Sequence, residues 1–316
     1  MTSMAVRDRR RVVVVGAGVI GSATASRIAE RGVDVVLLSA ERAGSTATSR
    51  ASFAWVNAHG KTPDAYRQLN EDSRRLHLRQ SAVHDVPWFH RIGSEIDGVV
   101  HADDGYVDAE AFIAAQVHDL RLAGGTVRDA IPVESLDEVR GLCGPADAIV
   151  VAAGAGTAGL VAGIPRSARR LQTSTGPVGF LARIDVDEHP LPARVYSRDG
   201  VQVRPDGAGR VAAQSLRLEA ELLRNGAVAS RRTVWSRLRD EIERTLGWRI
   251  PADANVRIDA APRPRAADGL PVVGWMAEDT YIALSHSGIT LAPLLAESIA
   301  RDLCGDEDPR LTPFRP

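Results

Sequence analysis

Lysine is almost missing from this chain: of 39 basic residues only Lys61 is a lysine, the rest being arginine. A compositional bias of the coding genome explains that skew better than function does. Net charge is also missing. At −1 overall, the protein carries no excess positive field for nucleic acid or an anionic membrane. Cysteine is scarce, and Cys143 and Cys304 form neither a metal-binding nor a redox spacing. No metal site is therefore expected, and reduced thiols point to a cytoplasmic setting. No apolar run is long enough to cross a bilayer. The basic stretch Arg7 to Arg11, with apolar residues after it, imitates a secretion signal. That apolar run leads directly into a glycine motif, however, and removing it would destroy the fold. What remains is a chain of 316 residues, 44% hydrophobic and 25% charged, of ordinary globular composition. It can hold two cores, though not two independent ones.

The chain is organised around Arg11 to Ser39. Val12 to Val15 are four β-branched residues in a row and predict a buried parallel strand. Gly16, Gly18 and Gly21 follow in G-x-G-x-x-G spacing, with an amphipathic helix and a second apolar strand from Val33 to Leu38. In such a unit the first glycine permits the tight turn. The second lets backbone approach a pyrophosphate, and the third lets helix and strand pack closely. The helix then aims its first amides at the phosphates. The second strand of such units ends in an acidic residue that grips a ribose; here Ser39 holds that place, with Glu41 and Arg42 just beyond. Ser39 and Glu41 suit a ribose, whereas Ser39 with Arg42 suits a 2′-phosphate. This unit alone leaves FAD and NADP both open.

Further along, Ala43 to Asn57 is rich in small hydroxyl residues that can serve a phosphate or a flavin edge, while Phe53 to Val56 require burial. Pro63 to Leu78 reads as a helix with Tyr66, Leu69, Ser73 and Leu76 on one side. Val86 to Val100 shows no clear regularity. A turn at Asp104-Gly105 precedes Asp108, a plausible N-cap. The helix after it carries Ile113, Val117 and Leu120 and ends at Gly124-Gly125. Strands are predicted near Thr126 to Pro132 and over Ala148 to Ala153, the latter running into Gly154, Ala155 and Gly156. From Gly176 to Gln214 the period becomes two, with turns at Asp199-Gly200 and Asp206-Gly207. Arg232 to Leu246 is a helix with a core stripe of Val234, Leu238, Ile242 and Leu246. A strand at Thr280 to Leu284 and a helix burying Leu295, Ile299 and Leu303 close the pattern. The fold class expected is α/β, a Rossmann-like domain with an inserted β-rich (α+β) domain.

The ordered set GAGVIG, the Ser/Thr-rich loop, DGYVD, the AAGA strand end, RPRAADGLPVVG and HSGITLAPLLAE resembles the D-amino-acid oxidase superfamily of FAD-dependent oxidoreductases. It is most similar to the glycine oxidase and sarcosine oxidase branch, and the similarity extends over most of the chain. The resemblance implies non-covalently bound FAD rather than NADP. It implies a discontinuous FAD-binding domain over 10–57, 100–165 and 260–308, and a shortened substrate domain over 58–99 and 166–259. It further implies a small amine or amino-acid substrate, oxygen or an electron carrier as the acceptor, no nucleic-acid or membrane partner, and a possible homo-oligomer.

The same resemblance assigns residues. Gly16, Ala17, Gly18, Val19, Ile20 and Gly21 would hold the pyrophosphate, and Ser39, Ala40, Glu41 and Arg42 the ribose. Thr48, Ser49, Arg50, Ala51 and Ser52 match the loop around diphosphate and flavin; Val133 meets adenine, and Ala153 and Gly154 match the strand end. His286, Ser287, Gly288, Ile289 and Thr290 would face the flavin's pyrimidine end, where helix amides stabilise negative charge on the reduced flavin. Arg263 stands where the relatives clamp a substrate carboxylate, for which a guanidinium fork is suited, the alternative being an arginine that braces the DGLP turn; Arg265 is either that brace or, two residues out of register, the clamp. Arg263 and His286 are the catalytic candidates, and Tyr196, Tyr281 and His59 candidates to line the substrate pocket. His59-Gly60-Lys61-Thr62 resembles a stretch near the flavin of sarcosine oxidases, where a lysine or histidine favours superoxide formation on reoxidation. Two departures concern the substrate side. The Val86 to Asp103 segment is short, implying that part of a sheet is missing and the pocket is open or covered by a partner. Gly156 also replaces a bulky aromatic residue.

Overall fold

The computed structural model describes residues 10–43, 47–164, 171, 175–186, 192–207, 209–224, 230–251 and 253–316. Arg7 to Arg9 of the basic stretch and Gly44 to Thr46 of the hydroxyl-rich loop lie outside them. In chain order the first half comprises β1 (Arg11–Val15), α1 (Val19–Ala29), β2 (Asp34–Leu38), α2 (Ala47–Arg50), β3 (Trp55–Val56) and α3 (Asp64–Ser81). β4 (Phe89–His90), β5 (Ser94–Ile96), β6 (Val99–His101), β7 (Gly105–Val107), α4 (Ala109–Leu122), β8 (Thr126–Arg128), α5 (Leu136–Cys143), β9 (Ala148–Val151) and α6 (Thr157–Leu160) follow. The second half holds β10 (Thr175–Asp185), β11 (Val195–Arg198), β12 (Val201–Pro205), β13 (Arg210–Ser215), α7 (Leu216–Arg224) and α8 (Arg231–Leu246). It ends with β14 (Val256–Pro264), β15 (Val272–Trp275), β16 (Thr280–Leu284) and α9 (Gly288–Leu303).

A six-stranded sheet in the order β15-β16-β9-β1-β2-β8 forms the first layer system. All its neighbours are parallel except the β15–β16 pair at one edge. Its central strands are buried on both faces, which is why Val12 to Val15 and Ala148 to Val151 are continuous apolar runs rather than alternating ones. Odd positions of β1 pack beneath α5, whereas even positions face α1, α4 and α9. Gly21 is what lets α1 lie so close: a Cβ there would fall 1.8 Å from the Gly16 carbonyl oxygen. Gly16 itself has φ +105 and meets the Ala152 carbonyl, so only glycine fits the turn.

The second system is a seven-stranded sheet, β14-β10-β13-β12-β11-β5-β6, antiparallel apart from the β11–β5 pair. One face carries Phe180, Ala182, Ile184, Val203 and Val211 against Val234, Leu238 and Ile242 of α8. The other turns Leu181, Val195 and Ala212 toward Phe53. The mixed α/β architecture with a parallel sheet and an inserted β-rich layer is the one expected.

Three expectations about the chain's organisation need revision. Residues 58–99 do not all go with the inserted sheet. Tyr66, Leu69 and Leu76 of α3, with Trp88 and Phe89, sit in the first core beside α9, and within this range β5 and the start of β6 join the seven-stranded sheet. The short Val86 to Asp103 segment is not simply a gap, for β5 and β6 form a hairpin that continues that sheet. The strand predicted to Pro132 ends at Arg128, because the chain then turns at Ala130 with φ 58. The tail after α9, about which the sequence pattern says nothing, also packs: Leu311 and Phe314 are fully buried, and Arg315 pairs with Asp302.

Candidate active site

A cleft of about 400 Å³ runs along the carboxyl ends of β1, β2, β9 and β16 and reaches the first strand of the inserted sheet. Its size and position are those of a small-molecule or cofactor site in an open parallel sheet. At one end lie Ser39, Ala40 and Glu41 with Ile131 and Val133. The middle is Gly16 to Ile20, backed by Ala152 to Gly156. At the far end are Thr48, Ser49, Ala51, Ser52, Arg263, Ser285, His286, Gly288 and Ile289. Segments far apart in sequence meet here because β1, β9 and β16 are adjacent and all end on the same edge.

Two hydroxyls in the wall have no hydrogen-bond partner. Ser39 is 1% exposed and its Oγ has no partner, although its backbone N–H and C=O are both engaged, with Arg128 and Ile131. Ser285 Oγ, at the other end, is buried and unpartnered as well. A buried hydroxyl left without a hydrogen bond costs about 1–3 kcal/mol, so both positions suit a ligand that supplies the partner. Gly16 and Gly18 leave bare backbone in the middle, and Gly156 leaves space where a large side chain would intrude. The residues present therefore fit a long dinucleotide: hydroxyls at the two ends and a glycine-lined stretch of backbone between them.

Arg263, on β14, projects at the far end and is one-fifth exposed. Its Nη2 donates to Glu219 Oε1 at 2.7 Å and to Gln214 Oε1 at 3.1 Å. Its Nε is buried without a partner and presses on Gly179, where a Cβ would come within 2.0 Å of it. The fork is thus not wholly available, since one of its two terminal nitrogens is already engaged. Burial raises the Glu219 carboxyl, while Arg263 and the Phe180 N–H act against that rise. His286 stands across the same end of the cleft. Burial first, then the positive charges of Arg263, Lys61 and Arg265, lower its pKa to about 4, so at neutral pH the ring is uncharged.

Of the residues assigned from sequence, Gly16, Ala17, Gly18, Val19, Ile20, Ser39, Ala40, Glu41, Thr48, Ser49, Ala51, Ser52, Val133, Ala153, Gly154, Arg263, His286, Gly288 and Ile289 are brought together in this cleft. Others are elsewhere. Gly21 acts one layer behind, through the helix contact. Arg42 is exposed and outside the wall. Arg50 turns away to Asp259, 3.3 Å from its Nε. Ser287 Oγ is taken by the Tyr66 hydroxyl at 2.6 Å and Lys61 Nζ at 3.2 Å. Thr290 donates to the Trp55 carbonyl at 3.3 Å.

All three pocket-lining candidates are corrected. Tyr281 is wholly buried in the first core and bonds Asp302, because position 281 of β16 faces α9 rather than the strand's end. Tyr196 lies on the α8 side of the inserted sheet, edge-on to Trp248. His59 is held by Asp104 at 3.0 Å and lies against the tilted ring of His101, outside the cleft wall. Sequence reading missed Ile131, Ser285, Gly179, Gln214 and Glu219. Ser285, next to His286, was within reach of it; nothing local marks the other four.

The fold and this cleft are those of a dinucleotide-binding protein with an inserted β-rich sheet. The FAD dependent oxidoreductase (DAO) family matches residues 11–94 and 83–301, and the chain belongs to that family. Its cofactor is FAD, which removes the NADP alternative. Among solved structures it is similar to glycine oxidase from Geobacillus kaustophilus, with 20% identity, TM-score 0.72, and 97% of this chain and 98% of that one covered. Iminodiacetate oxidase from Chelativorans shares 16% identity at TM-score 0.71, over 97% and 99% of the two chains. L-proline dehydrogenase from P. horikoshii shares 15% at 0.72, over 95% of each. No curated protein matches in sequence. No helix among the described residues is long and apolar enough to cross a membrane.

Proposed function

We propose that the protein oxidises the C–N bond of a small amino acid or secondary amine to an imine, which water then hydrolyses. The observation that carries this reading is Arg263: a partly exposed guanidinium at the end of the cleft opposite Ser39, next to a neutral His286. Ser39 and Glu41 hold the adenosine end of non-covalently bound FAD, Gly16 to Ile20 and Ala153 to Gly154 its pyrophosphate, and Thr48 to Ser52 with Gly288 and Ile289 the flavin end. Bound FAD supplies the acceptor for a hydride from the carbon bearing the nitrogen. Arg263 fixes the substrate's acid group and thereby the direction of that C–H bond, a gain of the orientation kind. His286, being neutral, neither repels a cationic amine nor competes with Arg263 for the acid. The electrons pass on to oxygen or to a carrier protein. Unpaired Cys143 and Cys304 suit a cytoplasmic setting.

A second reading has one observation in its favour. Because Nη2 of Arg263 is already bound, the pocket could be a degenerate one in a flavin-binding subunit. Arg263→Ala decides between them. For an enzyme, kcat/KM on the best acid substrate falls by about 10²-fold while the yellow colour stays, with peroxide or dye reduction as the readout across glycine, sarcosine, proline and D-amino acids. Indifference to the substitution, or no turnover of any acid-bearing amine, leaves the subunit reading standing.

A further inference from the structure

Arg263 is held from behind by a chain of buried polar side chains that spans the inserted sheet. Gln202 on β12 and Gln214 on β13 are cross-strand partners, and Gln214 Nε2 donates to Gln202 Oε1. That bond fixes the amide so that Gln214 Oε1 faces Arg263. Glu219, on α7, accepts from Arg263 Nη2 and from the Phe180 backbone N–H at 3.0 Å, through the same Oε1. Gln202, Gln214 and Glu219 are 7%, 4% and 5% exposed. Gly179 supplies the floor beneath Nε. Of the two terminal nitrogens this leaves Nη1 without a hydrogen bond to the protein, on a residue that lines the cleft, with a fixed carboxylate already opposing its charge.

We propose that Glu219 is a positioning residue that keeps Arg263 partly neutralised, so that the acid group of the ligand is held by Nη1 alone and its affinity is set low. This rests on Arg263 being the acid clamp. The physical reason is that substrate and imine product carry the same carboxylate. A fully available fork would hold both, whereas a compensated one orients the substrate and lets the product go. Buried ion pairs are costly to assemble and are poor candidates for simple bracing, which fits a role in tuning charge.

The test uses the FAD-loaded protein at neutral pH with acetate as probe and acetamide as its uncharged match, followed by the change each makes in the flavin's visible spectrum. Glu219→Gln keeps an oxygen for Arg263 and for the Phe180 N–H but removes the opposing charge. Acetate should then bind about tenfold tighter and acetamide unchanged, a gain no merely structural role produces. Glu219→Asp draws the same charge back by one methylene and should tighten acetate about twofold. Equal or weaker acetate binding by Glu219→Gln, or weaker binding by Glu219→Asp should the first variant fail to fold, overturns the inference. Arg263→Ala separates the two claims: acetate binding that survives it refutes the clamp and this inference together, whereas binding lost there but not tightened in Glu219→Gln refutes only the inference.

Discussion

The two ends of the cleft are built from different materials. The middle, and all of the Ser39 end but the Ser39 and Glu41 side chains, is shaped by backbone: a tight glycine turn, the start of a helix and the ends of parallel strands whose positions the sheet fixes. The Arg263 end is made of side chains, drawn from β12, β13, β14 and α7 and held to one another by hydrogen bonds. A backbone site depends on what is absent from a residue, a Cβ above all, and tolerates little. A side-chain site depends on which groups meet, and can be retuned one group at a time. The first should therefore break abruptly under substitution and the second by degrees.

Gly21→Ala tests the abrupt case. Its Cβ would lie 1.8 Å from the Gly16 carbonyl, and the obstacle is backbone on both sides. The expected cost is on the order of 3 kcal/mol, with α1 forced off the sheet and FAD lost, seen as colourless protein and a lowered melting temperature. A yellow variant of wild-type stability would mean that close packing of α1 is not what sets the pyrophosphate turn.

Acid should separate the regions too. His77 of α3 is completely buried in the first core; Trp88 Nε1 donates to its Nδ1 at 3.3 Å, and its Nε2 donates to the Ile289 carbonyl at 2.8 Å. Both nitrogens are satisfied only in the neutral ring, and burial lowers its pKa from 6.5 to about 4. In the unfolded chain the ring takes its proton near 6.5, whereas folded it does so near 4. Stability is therefore lost as pH falls from about 6.5 to about 4, and stays level with respect to this group below that. The full amount is about 3 kcal/mol. His77→Gln should remove that share of the slope in chemical denaturation, His286 retaining its own; an unaltered slope would show that His77 titrates normally.

Gly179→Ala is the graded case. Its Cβ meets Arg263 Nε at 2.0 Å, but the obstacle is the far end of a long side chain, which can move. The protein should fold and keep FAD while acetate binding weakens about tenfold, or about 1.4 kcal/mol. If FAD affinity dropped in parallel, the two ends would not be separable.

The same contrast decides what could be read in advance. β1, β16 and the entire dinucleotide turn were legible, because the glycine spacing and apolar runs are local consequences of burial on both faces. Arg263 was found only through its motif context. The residues behind it were not, for Gln202, Gln214 and Glu219 have no common period and meet only after three strands pair. Tyr281 was misread for a related reason. In a strand buried on both faces an aromatic residue says nothing about which way it points, and β16 happens to send it to Asp302.

The smallest effect is the most discriminating, and it concerns Ser39. Where relatives of this fold use an acid to grip the ribose, this chain has a hydroxyl that is buried with its backbone satisfied and its Oγ unpaired. Removing an unsatisfied hydroxyl relieves the unliganded protein, whereas removing one that a ribose completes weakens the complex. Ser39→Ala should therefore leave the apoprotein as stable or more so, by up to about 1 kcal/mol, and weaken FAD binding by a similar amount, roughly fivefold. Opposite signs in the two measurements, melting of the apoprotein and FAD titration by flavin fluorescence, are what a ligand-completed hydrogen bond requires. A loss in both would make Ser39 a packing residue, and the ribose would then have to be held by Glu41, its exposed neighbour on the cleft wall.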